Sequence, residues 1–439
     1  MNTPIVDFAA RYAEQNTLRL HMPGHKGKGN FAERFDLTEI EGADVLYHAQ
    51  GIIHQSEENA AFLFGAAKTV YSTEGSSLAI RAMLYLAKLC GKGNRIFAAR
   101  NAHKTFITAA AVLDLDVHWL FSEAQETFHT CRITAQGLEN ALKKAAQPPL
   151  AVYVTSPDYL GNIAEISSLA EVCHRYGTLL LVDNAHGAYL RFLDRHPISL
   201  GADLCCDSAH KTLPVLTGGA YLHISKTAPK LFCEQAEIAM SIFASTSPSY
   251  LILQSLDAAN RYLSEGYCEA LAAFCQNVAE LKQRLLRRGY ALFGAEPLKL
   301  TLAPKSYGYT GAELAEILQE KGIVCEFSDP DFLVMMLTPQ ITAAELVRLE
   351  NALLSVEKRA PIEQIAPCAP KAEPCIGLKN ALFSASCELP IEQCGGKILA
   401  SPTVTCPPAI PIVVCGERIT DAAIACMKYY GIQTCRVIE

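Results

Sequence analysis

The strongest constraint on the fold is a strand–helix–strand pattern in the first half of the chain. Residues 151–155 and 179–182 are continuous apolar runs of the length that buried strands have. Between them, Ser168 and Glu171 stand at the spacing of a capping box, which predicts the start of a helix. A strand, a helix and a second strand in this order form a βαβ unit with parallel strands. The pattern therefore predicts an α/β protein.

Helix and strand signals continue on both sides of this unit. The helix predicted over residues 76–90 has one apolar face, and residues 251–288 are typical of a long helical stretch. From about residue 290 the pattern changes to that of a smaller α+β domain, with a proline-rich connector at residues 357–373. Further strands are predicted at residues 95–98, 117–120, 203–206, 219–224 and 298–302, and a further helix at residues 312–321.

Composition excludes several classes of protein. Of the 439 residues, 50% are hydrophobic and 19% are charged, which is incompatible with a disordered chain and allows a large core. The net charge is −7 and the sequence has no run of basic residues, so it does not predict a surface that binds nucleic acid. The first ten residues have no basic region, unlike a signal peptide, and prolines interrupt the apolar run at residues 398–415. We therefore expect a cytoplasmic protein that binds neither nucleic acid nor membranes.

The cysteines and histidines are unevenly distributed. Eight of the 17 cysteines lie between Cys368 and Cys435, without C-x-x-C spacing and without histidines among them, so we expect buried thiols and no metal site. All 12 histidines lie between His21 and His223. Because histidine suits proton transfer near neutral pH, this distribution points to chemistry in the first half of the chain.

Three sequence features carry the candidate chemistry. A Gly-Ser-Ser turn at residues 75–77 directly precedes a predicted helix, whose N-terminus offers N–H groups, hydroxyls and a positive dipole end to a phosphate. Asp183 ends a buried strand at the edge of the sheet where open α/β proteins bind ligands. Lys211 follows an apolar strand among small and polar residues, where an unprotonated amine is able to form an imine. Taken singly, each feature has a structural explanation: a helix cap for the turn, a cap or turn acid for Asp183, and a solvated surface lysine, which is the more common case, for Lys211.

Taken together, the three features match the requirements of pyridoxal 5′-phosphate. A carboxylate keeps the pyridine nitrogen of this cofactor protonated, a lysine binds its aldehyde, and a helix N-terminus binds its phosphate. Asp183 precedes Lys211 by 28 residues, in the order found in aspartate-aminotransferase-like (fold type I) enzymes.

Five stretches carry a family resemblance, namely residues 21–27, 100–105, 183–187, 208–214 and 245–250. On these stretches the chain resembles the Orn/Lys/Arg decarboxylase family, in a short form without an N-terminal wing domain. The Ser-Ala-His-Lys-Thr-Leu-Pro run at residues 208–214 is the most specific of them. The resemblance covers about residues 15 to 260. Beyond them only two short stretches match weakly, at residues 322–326 and 407–411.

The resemblance implies a role for each matching residue. Lys211 would form the Schiff base with pyridoxal phosphate, Asp183 would pair with the pyridinium nitrogen, and His103 would stack on the ring. His210 would be a candidate proton donor, so these four residues form the expected catalytic set. The expected cofactor-binding set comprises the same four residues with Gly75, Ser76, Ser77, Ala185, His186 and Ser208. Residues 246–250 would reach the phosphate or substrate of a neighbouring subunit.

The resemblance also implies a fold, a reaction and an assembly. We expect the aspartate-aminotransferase-like fold type I, with an extended N-terminal arm (residues 1–55), a large, mostly parallel pyridoxal-phosphate domain (56–289) and a smaller α+β domain (290–439). The reaction would be decarboxylation of arginine, lysine or ornithine to an amine of polyamine biosynthesis and CO2. The assembly would be a homodimer or a higher homo-oligomer.

Three positions depart from the family pattern. Asn184 stands where the family usually has glutamate, Glu74 where it usually has asparagine, and Ala409 where it usually has glycine. Two alternatives therefore stay open at this point: another fold type I enzyme, such as an aminotransferase or an aldol-type lyase, or a non-catalytic member. For the distal end of a basic substrate, Glu41, Asp44 and Glu326 are candidates, each equally typical of a surface or cap residue.

Overall fold

The computed structural model describes residues 1–15, 17–91, 93–123, 127–371, 373–402 and 409–439. In these residues helices and strands alternate through the first half of the chain, as the sequence predicts. No described helix is both long enough and apolar enough to span a bilayer. The helices are α1 (Pro4–Glu14), α2 (Ile52–Phe64), α3 (Gly75–Leu89), α4 (Lys104–Val112), α5 (Ala135–Lys144), α6 (Ile166–Arg175), α7 (Ala209–Thr212), α8 (Lys230–Ser241), α9 (Tyr250–Ser264), α10 (Tyr267–Arg288), α11 (Gly311–Glu320), α12 (Ala343–Leu354), α13 (Leu378–Phe383) and α14 (Asp421–Tyr429).

The strands of the described residues form three sheets. They are β1 (Lys68–Ser72), β2 (Arg95–Ala99), β3 (Asp116–Leu120), β4 (Ala151–Thr155), β5 (Leu179–Asp183), β6 (Leu204–Asp207), β7 (Ala220–Ile224), β8 (Leu292–Phe293), β9 (Lys299–Leu302), β10 (Phe327–Ser328), β11 (Leu333–Met336), β12 (Ser386–Pro390) and β13 (Thr434–Ile438). The large sheet has the order β1-β7-β6-β5-β4-β2-β3. Strands β2 and β3, and β5 and β6, pair in parallel, whereas β7 is antiparallel to β1 and β6. This is the mostly parallel α/β sheet that the βαβ pattern predicts.

By its internal contacts the chain divides into two compact units. The first unit comprises Met1–Gly93, Leu150–Val152 and Ile166–Leu271, and it contains β1, β5, β6 and β7. The second comprises Asn94–Pro149, Tyr153–Glu165 and Ala272–Glu439. The division into three parts at residues 55 and 289 stays a prediction.

In the first unit, α3 has the apolar face that its sequence predicts. Ile80, Met83, Leu84 and Ala87 are all buried. The helix begins at Gly75, whose φ of 71° lies in the left-handed region that glycine adopts without a steric penalty. The first N–H groups of a helix have no acceptor within the helix, so a ligand at its N-terminus can use them.

The second unit contains the C-terminal half of the chain. Its four-stranded antiparallel sheet has the order β10-β11-β9-β8, and β12 pairs with β13. The predicted strand at residues 298–302 and helix at residues 312–321 correspond to β9 and α11. Cys394, Cys426 and Cys435 are buried in one apolar cluster with residues such as Ile419 and Val437. These three thiols are small core side chains, as expected, and Cys415 is buried too. The expectation of buried thiols is wrong for Cys368 and Cys375, which are exposed, while Cys387 is half-buried and Cys406 lies outside the described residues.

Three sequence predictions need correction. The N-terminal arm is not extended throughout, because residues 4–14 form α1. Helix α6 begins at Ile166, so Ser168 lies inside it and does not cap it. The long helical stretch is two helices, α9 and α10, which are interrupted at Gly266 with a φ of 74°. The remaining element predictions in the first half hold to within one or two residues.

The start of α1 depends on a residue that is distant in sequence. The Oδ2 atom of Asp257, on α9, accepts the N–H groups of Ile5 at 2.9 Å and Val6 at 3.0 Å, which satisfies two unpaired donors of the first turn. Its Oδ1 atom accepts the hydroxyl of Ser56 at 2.6 Å. No local signal indicates this cap, since the acid lies about 250 positions further along the chain.

A second buried acid lies beside this network. Glu57, on α2, is only 4% exposed, and its Oε1 atom accepts the N–H of Tyr71 at 2.8 Å. Burial raises the pKa of Glu57 to about 8 and that of Asp257 to about 6. Both acids therefore keep their protons in the folded chain at pH values where the unfolded chain has lost them.

We predict that Glu57→Gln stabilises the protein increasingly as the pH rises. An unfolded glutamate ionises near pH 4.3, whereas folded Glu57 ionises near pH 8. As the pH rises from the first of these values to the second, the free energy of unfolding of wild type should therefore decrease, by at most about 1.4 kcal/mol per pH unit. Above pH 8 it should change no further. The melting temperature of the variant relative to wild type, measured from pH 5 to pH 8.5, should rise over this range. Glu58→Gln is the matched control, because Glu58 is the exposed neighbour of Glu57. The difference in melting temperature between this variant and wild type should not rise over the same pH range.

Candidate active site

The site is built where two parallel strands of the first unit end. Strands β5 and β6 pair with Asp183 opposite Cys206. Asp183 is 3% exposed, and its Oδ1 atom accepts the N–H of Ala185 at 3.1 Å and the thiol of Cys206 at 3.6 Å. The carboxyl edge of the sheet thus presents a nearly buried acid, as the sequence predicts.

The predicted lysine lies next to this strand end. Lys211 is on the one-turn helix α7, which follows β6 after Ser208. Its Nζ atom is 3.0 Å from Nε2 of His186, three residues beyond Asp183. The structure therefore brings together the segment after β5 and the segment after β6, and with them two of the predicted residues, His186 and Lys211.

The predicted phosphate site lies at the start of α3. The hydroxyl of Ser208 donates to the hydroxyl of Ser76 at 2.8 Å, so two predicted phosphate-binding side chains meet. The N–H of Gly75 donates to the carbonyl of Gly218 at 2.7 Å, which holds the turn in place. A Cβ atom at Gly75 would have no neighbour within 4 Å, so the turn faces open space. Ser77 follows in the first turn of the same helix.

His210 is held by the backbone of a neighbouring segment. Its Nδ1 atom lies 2.9 Å from the carbonyl oxygen of Gly219, which only an N–H can satisfy. Burial lowers the pKa of His210, although the bond to Gly219 opposes this effect. In the neutral ring Nε2 is therefore an acceptor, and donation of a proton from Nε2 requires the charged form.

His103 belongs to the second unit. It is the N-cap residue of α4, and its Nδ1 atom accepts the N–H of Thr105 at 3.2 Å. The adjacent N–H of Lys104 donates to the carbonyl of Ala409 at 2.9 Å. The stacking role of His103 stays a prediction.

The departure at residue 409 has a structural consequence. Ala409 has a φ of 57°, in the left-handed region where glycine, the usual family residue, is free of strain. A non-glycine residue in this conformation costs on the order of 1 kcal/mol. The preceding Pro407 and Pro408 lie outside the described residues.

Glu74, which stands where the family usually has asparagine, is hydrogen-bonded to a neighbouring loop. Glu74 is exposed, and its Oε1 atom accepts the N–H of Ser245 at 2.7 Å. This carboxylate is therefore hydrogen-bonded to the segment that begins at Ser245. Further along this segment, Tyr250 is buried, and its hydroxyl donates to the carbonyl oxygens of Ala43 and Asp44.

The side chain of Asp44 caps a helix and does not have the environment expected of a substrate ligand. Its Oδ2 atom accepts the N–H groups of Gly51 at 2.8 Å and Ile53 at 3.0 Å, at the start of α2. Because the backbone already satisfies this carboxylate, Asp44 is less suited to a basic substrate than the sequence suggests. Glu41 is exposed, and Glu326, in the second unit, accepts the hydroxyl of Tyr159 at 3.4 Å.

Sequence reasoning missed the buried cluster directly behind the strand ends. Asp207 is the last residue of β6, and it contacts His196, His223 and Asn184. All four side chains are completely buried. An acid at the end of an apolar strand, four residues before the candidate lysine, was the one available signal. The histidines gave none, because they come from other segments of the chain.

The donor set fits pyridoxal phosphate. Asp183 offers a carboxylate for a protonated ring nitrogen, Lys211 offers a primary amine for an aldehyde, and Ser76 and Ser208 offer hydroxyls beside a helix N-terminus for a phosphate. The open space at Gly75 leaves room for the phosphate.

Comparison with known proteins matches the chain to two domains of one family. The major domain of Orn/Lys/Arg decarboxylases matches residues 3–302, and their C-terminal domain matches residues 369–435. An arginine decarboxylase of Bacillus subtilis (strain 168) is 28% identical over 96% of this chain and 92% of its own length.

Solved structures agree on the fold. The constitutive lysine decarboxylase of E. coli superposes with a TM-score of 0.80 at 17% identity, over 100% of this chain and 82% of that chain. A serine palmitoyltransferase of Sphingomonas wittichii superposes with a TM-score of 0.57 at 15% identity, over 80% of this chain and 83% of that chain. The fold is therefore the fold type I that the sequence predicts.

Proposed function

Since the chain belongs to the Orn/Lys/Arg decarboxylase family and is a pyridoxal-phosphate-dependent decarboxylase, we propose that it converts a basic amino acid to its amine and CO2. The observation that supports this most directly is the arrangement at the ends of β5 and β6. There the amine of Lys211 lies 3.0 Å from His186, three residues beyond the nearly buried Asp183. Arginine is the first substrate to consider, because the B. subtilis relative at 28% identity is named an arginine decarboxylase.

Each side chain of the site would have one task. When bound, pyridoxal phosphate supplies a sink for the electron pair that the Cα–carboxylate bond releases. Lys211 would hold the cofactor through its aldehyde, and Asp183 would keep its ring nitrogen protonated. Ser76, Ser77 and Ser208 would hold its phosphate, with Gly75 forming the turn.

Reprotonation at Cα would come from a residue beside the ring. Lys211 and His186 already share a hydrogen bond, so a proton can pass between these two groups. His210 has less support as the donor, because its Nδ1–H is bonded to Gly219 and its neutral Nε2 accepts. His103, which is predicted to stack on the ring, would restrict the orientation of the substrate and thus select the bond that breaks.

We extend the proposal to the assembly and the cellular role. The N-terminal segment exposes the apolar side chains of Leu18, Leu20 and Phe31, by 80%, 81% and 90% respectively. Apolar surface of this kind is typical of protein contacts, which supports a homodimer. A cytoplasmic location and a product amine that enters polyamine biosynthesis are part of the same proposal.

A substrate panel tests the function directly. Arginine, lysine and ornithine are each incubated with the purified holoenzyme, and the amines are identified by mass spectrometry together with the CO2 released. We expect one of the three to give its amine with equimolar CO2. A keto acid in place of the amine would identify an aminotransferase and would refute the proposal.

Replacement of Lys211 tests the attachment of the cofactor. We expect Lys211→Ala to lose the visible absorbance, at about 420 nm, of the lysine-attached cofactor, and to lose turnover with it. Lys226→Ala is the control, since Lys226 is an exposed lysine in the same unit, and it should match wild type. A variant spectrum identical to that of wild type would rule out Lys211 as the attachment point.

Replacement of Asp183 tests the electrostatic role separately. Asp183→Asn should retain the visible absorbance but reduce kcat by a factor on the order of 10³, because the preorganised negative charge is lost. The control is Asp203→Asn, which alters a buried acid next to the opposite end of β6. Activity of Asp183→Asn within tenfold of wild type would contradict the role of this residue.

A further inference from the structure

The cluster behind the strand ends surrounds one carboxylate with four donors. Oδ1 of Asp207 accepts the amide N–H of Asn184 at 2.6 Å and the thiol of Cys205 at 3.6 Å. Oδ2 lies 2.9 Å from Nε2 of His196 and 3.2 Å from Nε2 of His223. All five side chains are completely buried.

The charge state of Asp207 follows from these contacts. Burial by itself would raise the pKa of Asp207, but the two imidazoles hold it below the usual range, so the group stays ionised. A buried carboxylate persists only where donors replace the lost water, and here each oxygen has two. Asp207 is therefore a buried anion whose two oxygens both accept hydrogen bonds from neighbouring side chains.

The geometry favours hydrogen bonds over a metal ion. The ligand atoms of His196, Asp207 and His223 lie within 4.8 Å of one another, which would suit a cation. However, Nδ1 of His196 accepts the N–H of Ile198 at 3.4 Å. The proton of the neutral ring is therefore on Nε2, which donates to Asp207 and has no lone pair for a metal.

The cluster joins the two segments that carry the candidate site. Asn184 directly follows Asp183 and precedes Ala185, while Asp207 directly precedes Ser208. The N–H of Asn184 also donates to the carbonyl of Cys206 at 3.0 Å, which extends the ladder between β5 and β6. Side chains alternate along a strand, so Asn184 and Asp207 meet on one side of the sheet while Asp183 and Cys206 meet on the other.

We propose that Asn184 and Asp207 are positioning residues whose buried amide–carboxylate bond sets the spacing between Asp183 and Lys211 for the cofactor. This inference rests on the proposed function, which assigns Asp183 and Lys211 to the cofactor. The histidines decide which partner is the acid, because they donate to residue 207 and require an acceptor there. Residue 184 must then be a donor, a requirement that asparagine meets and an ionised glutamate does not.

Exchange of the amide and the carboxylate tests the pair. In Asn184→Asp two carboxylates would face each other at about the present 2.6 Å, and in Asp207→Asn the anion is lost. In the double variant the amide introduced at position 207 can donate to the carboxylate introduced at position 184, while the amide oxygen still accepts from the histidines. We expect each single variant to weaken pyridoxal phosphate binding at least tenfold, and the double variant to bind within threefold of wild type.

The readout is the dissociation constant of pyridoxal phosphate, measured by its visible absorbance at a temperature well below melting. Melting temperatures of the cofactor-free proteins are measured in parallel. Asp203→Asn is the control, because this buried acid, bonded to His174 and to the N–H of Leu180, lies outside the site and should lower only the melting temperature.

Three outcomes would overturn the inference. In the first, the single variants have lower melting temperatures but bind the cofactor as tightly as wild type. In the second, the loss of cofactor affinity in the double variant equals or exceeds the combined losses of the two single variants. In the third, wild type contains a stoichiometric metal ion that Asp207→Asn lacks. Failure of the proposed function gives a different result, because wild type would then release no amine and CO2 from the three basic amino acids, whereas the cofactor dissociation constants of the variants do not depend on turnover.

Discussion

The parallel pairing of β5 and β6 is the constraint on which the candidate site depends. Its register places Asp183 opposite Cys206, so that the segments following the two strands emerge side by side. Those segments carry His186 and Lys211, whose side chains then meet at 3.0 Å. A shift of one residue in this register would move Asp183 to the other side of the sheet, away from the ligand-binding position.

Buried acids of the first unit are stabilised in two different ways. At Asp207 every oxygen receives donors, which keeps the carboxylate ionised and ties two segments together. At Glu57 and Asp257 burial outweighs the hydrogen bonds and raises both pKa values. The first arrangement holds a charge in place, whereas the second costs stability as the pH rises.

The departures from the family pattern become understandable once their neighbours are known. Asn184 donates to a carboxylate that would repel the usual glutamate. Glu74 binds the N–H of Ser245 and is exposed to solvent. Ala409 keeps the left-handed conformation that glycine would adopt, and its carbonyl binds the turn next to His103. Each of these positions contacts a segment distant in sequence, which explains why the sequence alone left the effect of each change open.

The sequence by itself determined the features that short-range patterns encode. The βαβ unit, the helix after Gly75, and the positions of Asp183 and Lys211 at the ends of apolar strands all follow from local periodicity and turn chemistry. The tertiary structure alone decided the contacts between remote segments. Asp257 begins α1 from about 250 residues away, and His196 and His223 converge on Asp207 from opposite sides of it in the chain. The physical reason is that a hydrogen bond depends on distance in space, which a linear pattern does not specify until the strands are paired.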